Sequence, residues 1–227
     1  MPSASAFDTL FKRLDIGDLT ALSAAQQHTV VKQLEQLLPA GDVHRARLLD
    51  TQRCGLDFTN ANQKGYEFAD AKLAEALAAH DDAAAIRFYY CRGGYLESLK
   101  MPRDALADFE RGIDLARSSG DDAMLAAGLQ ARGGMYSLLG IYGKALADLL
   151  EARRLFAEQE LDEASSQILQ DIGITYRRLG YPDKAREYLN QAIAHEKRVG
   201  DTESLYISAL QLGYADQETG QYESALA

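Results

Sequence analysis

The chain has 227 residues, with 24 Lys+Arg against 34 Asp+Glu and a formal net charge of −10. Apolar residues make up 47% and charged residues 26%, a globular profile rather than a disordered or fibrous one. No apolar run reaches the ~18 residues a membrane helix needs, and the acidic balance disfavours a nucleic-acid binder, whose surface would carry a basic stripe.

Two cysteines are too few for a disulfide framework or a thiolate zinc site. The opening Met1-Pro2-Ser3-Ala4-Ser5-Ala6 has no charged region followed by an apolar stretch, so it is not a signal peptide. The expected location is cytoplasmic. An export signal removed beforehand would leave the same sequence, so a periplasmic location stays open.

In chain order, residues 7–16 and 23–38 read as two helices, with Ser23 as cap and Pro39 as stop. They are expected to form an N-terminal cap over residues 1–42. Residues 43–80 then read as a helix pair, about His44–Phe58 and Gln63–Ala79. From there a repeat is visible. Glycines stand at 120, 140, 180, 200 and 220, and alignment at a period of 40 gives blocks at 81–120, 121–160, 161–200 and an incomplete 201–227. Arg92-Gly93-Gly94 returns as Arg132-Gly133-Gly134, and Ala105-Leu106-Ala107-Asp108 as Ala145-Leu146-Ala147-Asp148.

Each block reads as two helices. Asp81, Asp121 and Asp201 suit N-caps of the first. Leu125, Leu129, Met135 and Leu139 recur at helical spacing. Pro102 and Pro182 suit the first turn of the second helix, where no amide bond is lost. No stretch alternates in the manner of a strand.

These residues resemble the tetratricopeptide repeat (TPR), W-x2-L-G-x2-Y followed by A-x3-F. The third block has Leu169-x2-Ile172-Gly173-x2-Tyr176 and then Ala185-x3-Leu189; the second has Leu129-x2-Arg132-Gly133-x2-Tyr136 and then Ala145-x3-Leu149. The first has Tyr89-x2-Arg92-Gly93-x2-Leu96 and then Ala105-x3-Phe109, and the fourth Leu212-Gly213 and Ala225. Gly and Ala lie 12 residues apart in all four, where two helices approach too closely for larger side chains. The block at 43–80 is degenerate, with Gly65 and Ala69 at the Ala and Phe positions. The period of 40 rather than 34 implies helices about three residues longer, as in bacterial regulators and kinesin light chains. The resemblance implies an all-α fold: a right-handed superhelix (α-solenoid) of antiparallel helix pairs over 43–227.

The sequence departs from the family pattern where Arg92 and Arg132 replace an apolar residue. Asp108 and Asp148 lie 16 residues further on, whereas the third block has Ile172 and Tyr188 there. A half-buried charge needs a partner, so Arg92–Asp108 and Arg132–Asp148 are expected to pair within their blocks.

No phosphate-binding loop is present, and the Gly-Gly pairs sit inside helices. His28, His44, His80 and His195 are scattered and read as surface or helix-end residues; none has a partner at metal spacing. No cofactor, metal or catalytic residue is expected in these residues. Cys54 and Cys91 are 37 residues apart, about one turn short of the repeat, and read as two reduced thiols in preference to a disulfide.

What remains is a surface. The resemblance implies a concave groove lined by the first helices. By the repeat frame its wall carries Arg47, Asp50, Cys54 and Asp57, then Arg87, Tyr90, Gly94 and Glu97. Gln130, Gly134 and Ser137 follow, then Gln167, Gln170, Ile174 and Arg177. Such a wall suits a protein, a peptide or a small ligand. The resemblance further implies the regulatory or dimerisation input of a larger bacterial signalling protein, with a GGDEF-type diguanylate cyclase first among outputs. A stand-alone adaptor is the alternative. Ala227 falls one turn into a second helix, so an incomplete stack and pairing of two copies through its open edge are also expected.

Overall fold

A computed structural model of the chain describes residues 4–15, 24–56, 62–158 and 165–219. Regular structure among them is α-helical throughout. The first four helices are α1 (Ala4–Asp15), α2 (Ala24–Leu37), α3 (Val43–Leu56) and α4 (Asn62–Ala78). There follow α5 (Asp82–Ser98), α6 (Pro102–Ser119), α7 (Asp122–Leu138) and α8 (Tyr142–Glu158). The last three are α9 (Ser165–Arg178), α10 (Pro182–Val199) and α11 (Thr202–Glu218). Ser23, Asp57 and the segment 220–227, which the sequence reading had used as a cap, a groove residue and the start of a further helix, lie outside the described residues. The chain divides into two compact units, Met1–Gly128 and Leu129–Ala227.

Helix ends follow from one backbone device. Gly120, Gly140, Gly180 and Gly200 have φ between 71° and 85°, the left-handed region open to a residue without Cβ. At each, the next amide donates five residues back, for instance Ile141 to the Tyr136 carbonyl at 2.8 Å and Tyr181 to the Tyr176 carbonyl at 2.9 Å. His80 (φ 53°) and Lys100 (φ 64°) hold the same station without being glycine. The punctuation every 20 residues therefore runs further towards the N-terminus than the glycines do. The residue after each turn starts the next helix. Asp81, Asp121 and Asp201 accept the amides of Ala84 (3.3 Å), Met124 (3.0 Å) and Ser204 (3.1 Å). Met101 and Tyr181 offer no side-chain cap; instead Pro102 and Pro182 remove a donor.

Two apolar clusters of unit 1 bear on its N-terminal helices. One joins Phe7, Phe11, Val31 and Leu34 of α1 and α2 to Leu48 and Leu49 of α3. The other joins Ala69, Leu73 and Ala76 of α4 to Ala84, Ala85, Phe88 and Tyr95 of α5, with Cys54 from α3. In unit 2, α8 presents Ala145, Leu149, Ala152 and Phe156, and α10 presents Ala185, Leu189 and Ala192, all buried. The first helices come close at glycine. A Cβ at Gly133 would lie 2.8 Å from Leu149 Cγ and 3.2 Å from the Ala145 carbonyl oxygen; one at Gly173 would lie 2.7 Å from Leu189 Cγ. This is the physical content of the Gly-to-Ala spacing.

Arg92 forks onto Asp108, Nε donating to Oδ2 at 2.6 Å and Nη2 to Oδ1 at 2.7 Å. Arg132 does the same to Asp148 at 2.7 and 2.9 Å. Asp108 is 2% exposed, and Arg92 also reaches Asp70. In the third block Ile172 is buried, and Tyr188 stacks on Tyr176 with ring centroids 5.5 Å apart. One station thus has two solutions, an ion pair or an apolar packing.

Removing Asp108 leaves the half-buried Arg92 guanidinium with Asp70 as its remaining carboxylate partner, a loss of about 2–3 kcal/mol. Asp108→Ala is therefore expected to lower the melting temperature by about 5–10 °C. Asp148→Ala, whose carboxylate is more exposed, should lower it less; calorimetry compares them. Lys100→Gly relieves left-handed strain of about 1 kcal/mol and should raise the melting temperature by about 2–4 °C in the same measurement.

Candidate functional site

Polar contacts between neighbouring first helices follow a ladder of sequence separations. At 34 residues, the Tyr90 hydroxyl donates to the Met124 carbonyl (2.9 Å) and Gln170 Nε2 lies 3.3 Å from the Ser204 carbonyl. At 38, Thr175 donates to Ser137 (3.0 Å) and Gln170 Nε2 to Ser208 Oγ (2.9 Å). At 41, Gln130 Nε2 donates to Asp171 (3.2 Å), Arg177 to Glu218 (2.9 Å) and Arg178 to the Ser137 carbonyl (3.2 Å). The steps of three to four residues are one helical turn each.

The ladder corrects the reading of the cysteines. Cys54 and Cys91 form a disulfide, with Cα atoms 6.5 Å apart and a separation of 37 residues. Residues one whole period apart are equivalent and point the same way. Facing residues are offset from that register by one to six residues, as at 34, 38 and 41, and 37 falls within that range. Tyr95, 41 residues after Cys54, donates its hydroxyl to the Cys54 carbonyl on the next rung.

The candidate groove residues are placed as follows. Arg47 reaches Asp81 at 3.3 Å, and Asp50 pairs with Arg53 (3.1 Å) and Lys72 (3.2 Å). Arg87 donates to the Ala83 carbonyl (2.7 Å) with its guanidinium over the Phe11 ring. The Tyr90 ring fills a slot where Cβ atoms on Gly112 and Gly128 would clash, at 2.3 and 2.2 Å. Burial pushes the Glu97 carboxyl up, with Lys100 opposing. Arg177 lies over the Tyr214 ring, 5.4 Å from its centroid. Among the described candidates in the groove wall, Gln167 is the exposed one; Gln170 is buried and Arg47, Asp50, Arg87, Tyr90, Glu97, Gln130 and Arg177 are partly buried. Tyr90 and Gln170 are braces between helices, not free donors awaiting a ligand.

Three features escaped the sequence reading. Asp171 sits beside Gln170 on α9 with Gln130 as its hydrogen-bond donor, and burial pushes its carboxyl up to about 6. Its signal was faint, being one acid next to a residue already on the helix–helix face. Second, Glu196 is fully buried. It accepts from Ser208 at 2.8 Å through one oxygen while the other has no partner, and burial raises its pKa. Third, His195 is 8% exposed with neither ring nitrogen partnered, so it is a core residue and not a surface one. Glu196 stands where the preceding block has buried Phe156, so periodicity predicted an apolar residue there.

An exposed apolar strip lies on α11, made of Tyr206 (70% exposed), Ile207, Leu210 and Tyr214; Gln167 of α9 in the same unit is also exposed. Among the described residues no group of three or more His, Cys, Asp or Glu could hold a metal ion. No helix among them is long and apolar enough to cross a membrane.

Residues 166–194 match the family model of the tetratricopeptide repeat. A curated relative, tetratricopeptide repeat protein 29 of Trypanosoma brucei brucei, is 25% identical over 125 residues. The match takes in 55% of this chain and 26% of that protein, so about a quarter of the relative's length is spanned. Among solved structures, BtubC (BKLC) from P. vanneervenii is similar with a TM-score of 0.67 and 16% identity, over 92% of this chain and 86% of that one. The nearly identical TPR-like repeats of a Podosopora anserina kinesin light chain give 0.62 at 15% identity, over 79% and 88%. The apo form of RapI gives 0.63 at 12% identity, over 97% and 94%. At these identities the solved structures speak for the fold.

Above pH 6 the folded chain holds a desolvated Asp171 carboxylate; below the unfolded pKa near 4 the group is neutral in both states. The raised pKa therefore costs stability at high pH and none at low pH. Asp171→Asn should raise the melting temperature by up to about 5 °C at pH 8, with the gain vanishing near pH 4. Melting curves at both pH values check this.

Proposed function

We infer that this chain, a tetratricopeptide repeat protein, is a non-enzymatic scaffold that holds a partner protein. The observation that carries this is a stack of helix hairpins whose polar groups mostly brace one helix to the next, beside an exposed apolar strip on α11. A surface of aromatic and aliphatic side chains with a polar neighbour suits a protein or peptide better than a small charged metabolite. The face of the first helices in unit 2, from Gln167 to Tyr214, is where the partner docks in this reading.

The 40-residue period supports the finer reading as the input segment of a larger bacterial signalling protein, with a GGDEF-type diguanylate cyclase as the first output to look for. An adaptor that works without an output domain fits the same features equally well. Sequencing the native reading frame beyond Ala227 separates the two.

Affinity capture from the source organism's lysate, with partners identified by mass spectrometry, tests the scaffold role. The expected outcome is a protein enriched by the wild-type chain and lost, by about tenfold or more, with Gln167→Ala/Tyr214→Ala, while helicity by circular dichroism is unchanged. A partner retained in full by that variant would move the docking face elsewhere.

A further inference from the structure

We propose that the Cys54–Cys91 disulfide is a redox-operated lock that fastens the N-terminal helices α1–α3 to the α4–α5 pair. The proposal stands on how α3 is shared between two apolar clusters. Leu48 and Leu49, in its first half, pack with Phe7, Phe11, Val31 and Leu34 of α1 and α2. Cys54, in its second half, is the member of the other cluster that α3 supplies, set among α4 and α5 residues. The bond to Cys91, which packs against that same cluster, therefore ties α3 to α5, and through Leu48 and Leu49 it holds the α1–α2 pair as well.

Other ties across this boundary are both apolar and polar: Ala83 of α5 packs against the N-terminal cluster and the Arg87 guanidinium lies over the Phe11 ring. His44 and Arg47 reach Asp81 at 3.0 and 3.3 Å, Lys72 reaches Asp50 at 3.2 Å, and the Tyr95 hydroxyl donates to the Cys54 carbonyl. Partly exposed ion pairs hold little by themselves. Loss of the bond thus loosens the hold of α4 and α5 on α1–α3, whereas the apolar contacts within α1–α3 and those within α4–α5 remain.

The two sulfurs also differ in access. Cys54 is fully buried and Cys91 partly exposed, so an external thiol meets Cys91 first. The thiolate of a dithiol reductant attacks Cys91 Sγ; the Cys54–Cys91 bond breaks, and Cys54 leaves as a thiolate that takes up a proton. The reductant's second thiol then displaces Cys91, closing its own disulfide and giving Cys91 back as a thiol. Two electrons pass from reductant to protein. In the reverse direction, oxidised glutathione takes two electrons from the thiol pair and is released as two molecules of reduced glutathione. A thiol-buffered compartment favours the open form and an oxidising one the closed form.

Hydrogen–deuterium exchange of the full chain, read by mass spectrometry, tests this in oxidised and dithiothreitol-reduced protein. Reduction is expected to speed exchange in peptides from residues 4–56 by about tenfold or more, to leave α8–α10 unchanged, and to lower the melting temperature by about 5–10 °C. Cys54→Ala/Cys91→Ala and Cys91→Ser should both exchange like reduced wild type and ignore dithiothreitol. Equal exchange in oxidised and reduced wild type would overturn the lock. So would a bond that native protein retains in millimolar dithiothreitol, or a thiol pair that oxidised glutathione leaves unjoined, since either makes the pair static.

Discussion

Among the described residues the repeats depend on a left-handed residue at positions 80, 100, 120, 140, 180 and 200. That residue ends one helix, lets the following amide reach back five residues and hands the chain to the next helix start. Helix length, hairpin closure and the 40-residue repeat all follow. Glycine serves at most of these stations because it lacks the Cβ that crowds left-handed backbone. His80 and Lys100 meet the same demand at some strain, held by the hairpins on either side.

With helix length fixed, packing is decided by small residues and by polar braces. Gly133 and Gly173 bring the first helix of each hairpin almost onto the leucine and alanine of the second. Between hairpins the ladder of 34, 38 and 41 residues places Tyr90, Gln130 and Gln170 in contact with the next first helix and Thr175 in contact with the preceding one. These hydrogen bonds fix how adjacent first helices are staggered within a unit. Side chains outside these braces, notably Tyr206, Ile207, Leu210 and Tyr214 on α11, are exposed. In such a stack, structure and recognition compete for the same helical faces.

Much of this architecture was legible in the sequence. The glycine punctuation, the aspartate caps and the 16 residues from arginine to aspartate are local or one-hairpin relations, which periodicity exposes directly. Relations between hairpins were less legible. A repeat frame says which residues are equivalent, and equivalent residues do not touch. Cys54 and Cys91 looked misplaced for that reason, and Tyr90 and Gln170 looked like groove residues although they are braces. Asp171, His195 and Glu196 were missed on different grounds. Each is a polar residue at a packed station, where the pattern of the other blocks offers no warning.

The two solutions at the arginine station carry an evolutionary consequence. Arg92–Asp108 and Arg132–Asp148 are ion pairs, while the third block fills the same places with Ile172 and Tyr188. Either combination is self-consistent, but a mixture leaves a charge facing an apolar neighbour. The two positions are thus epistatic. A block drifts from one state to the other only through a second substitution that follows closely on the first, or through a background stable enough to carry the mismatch.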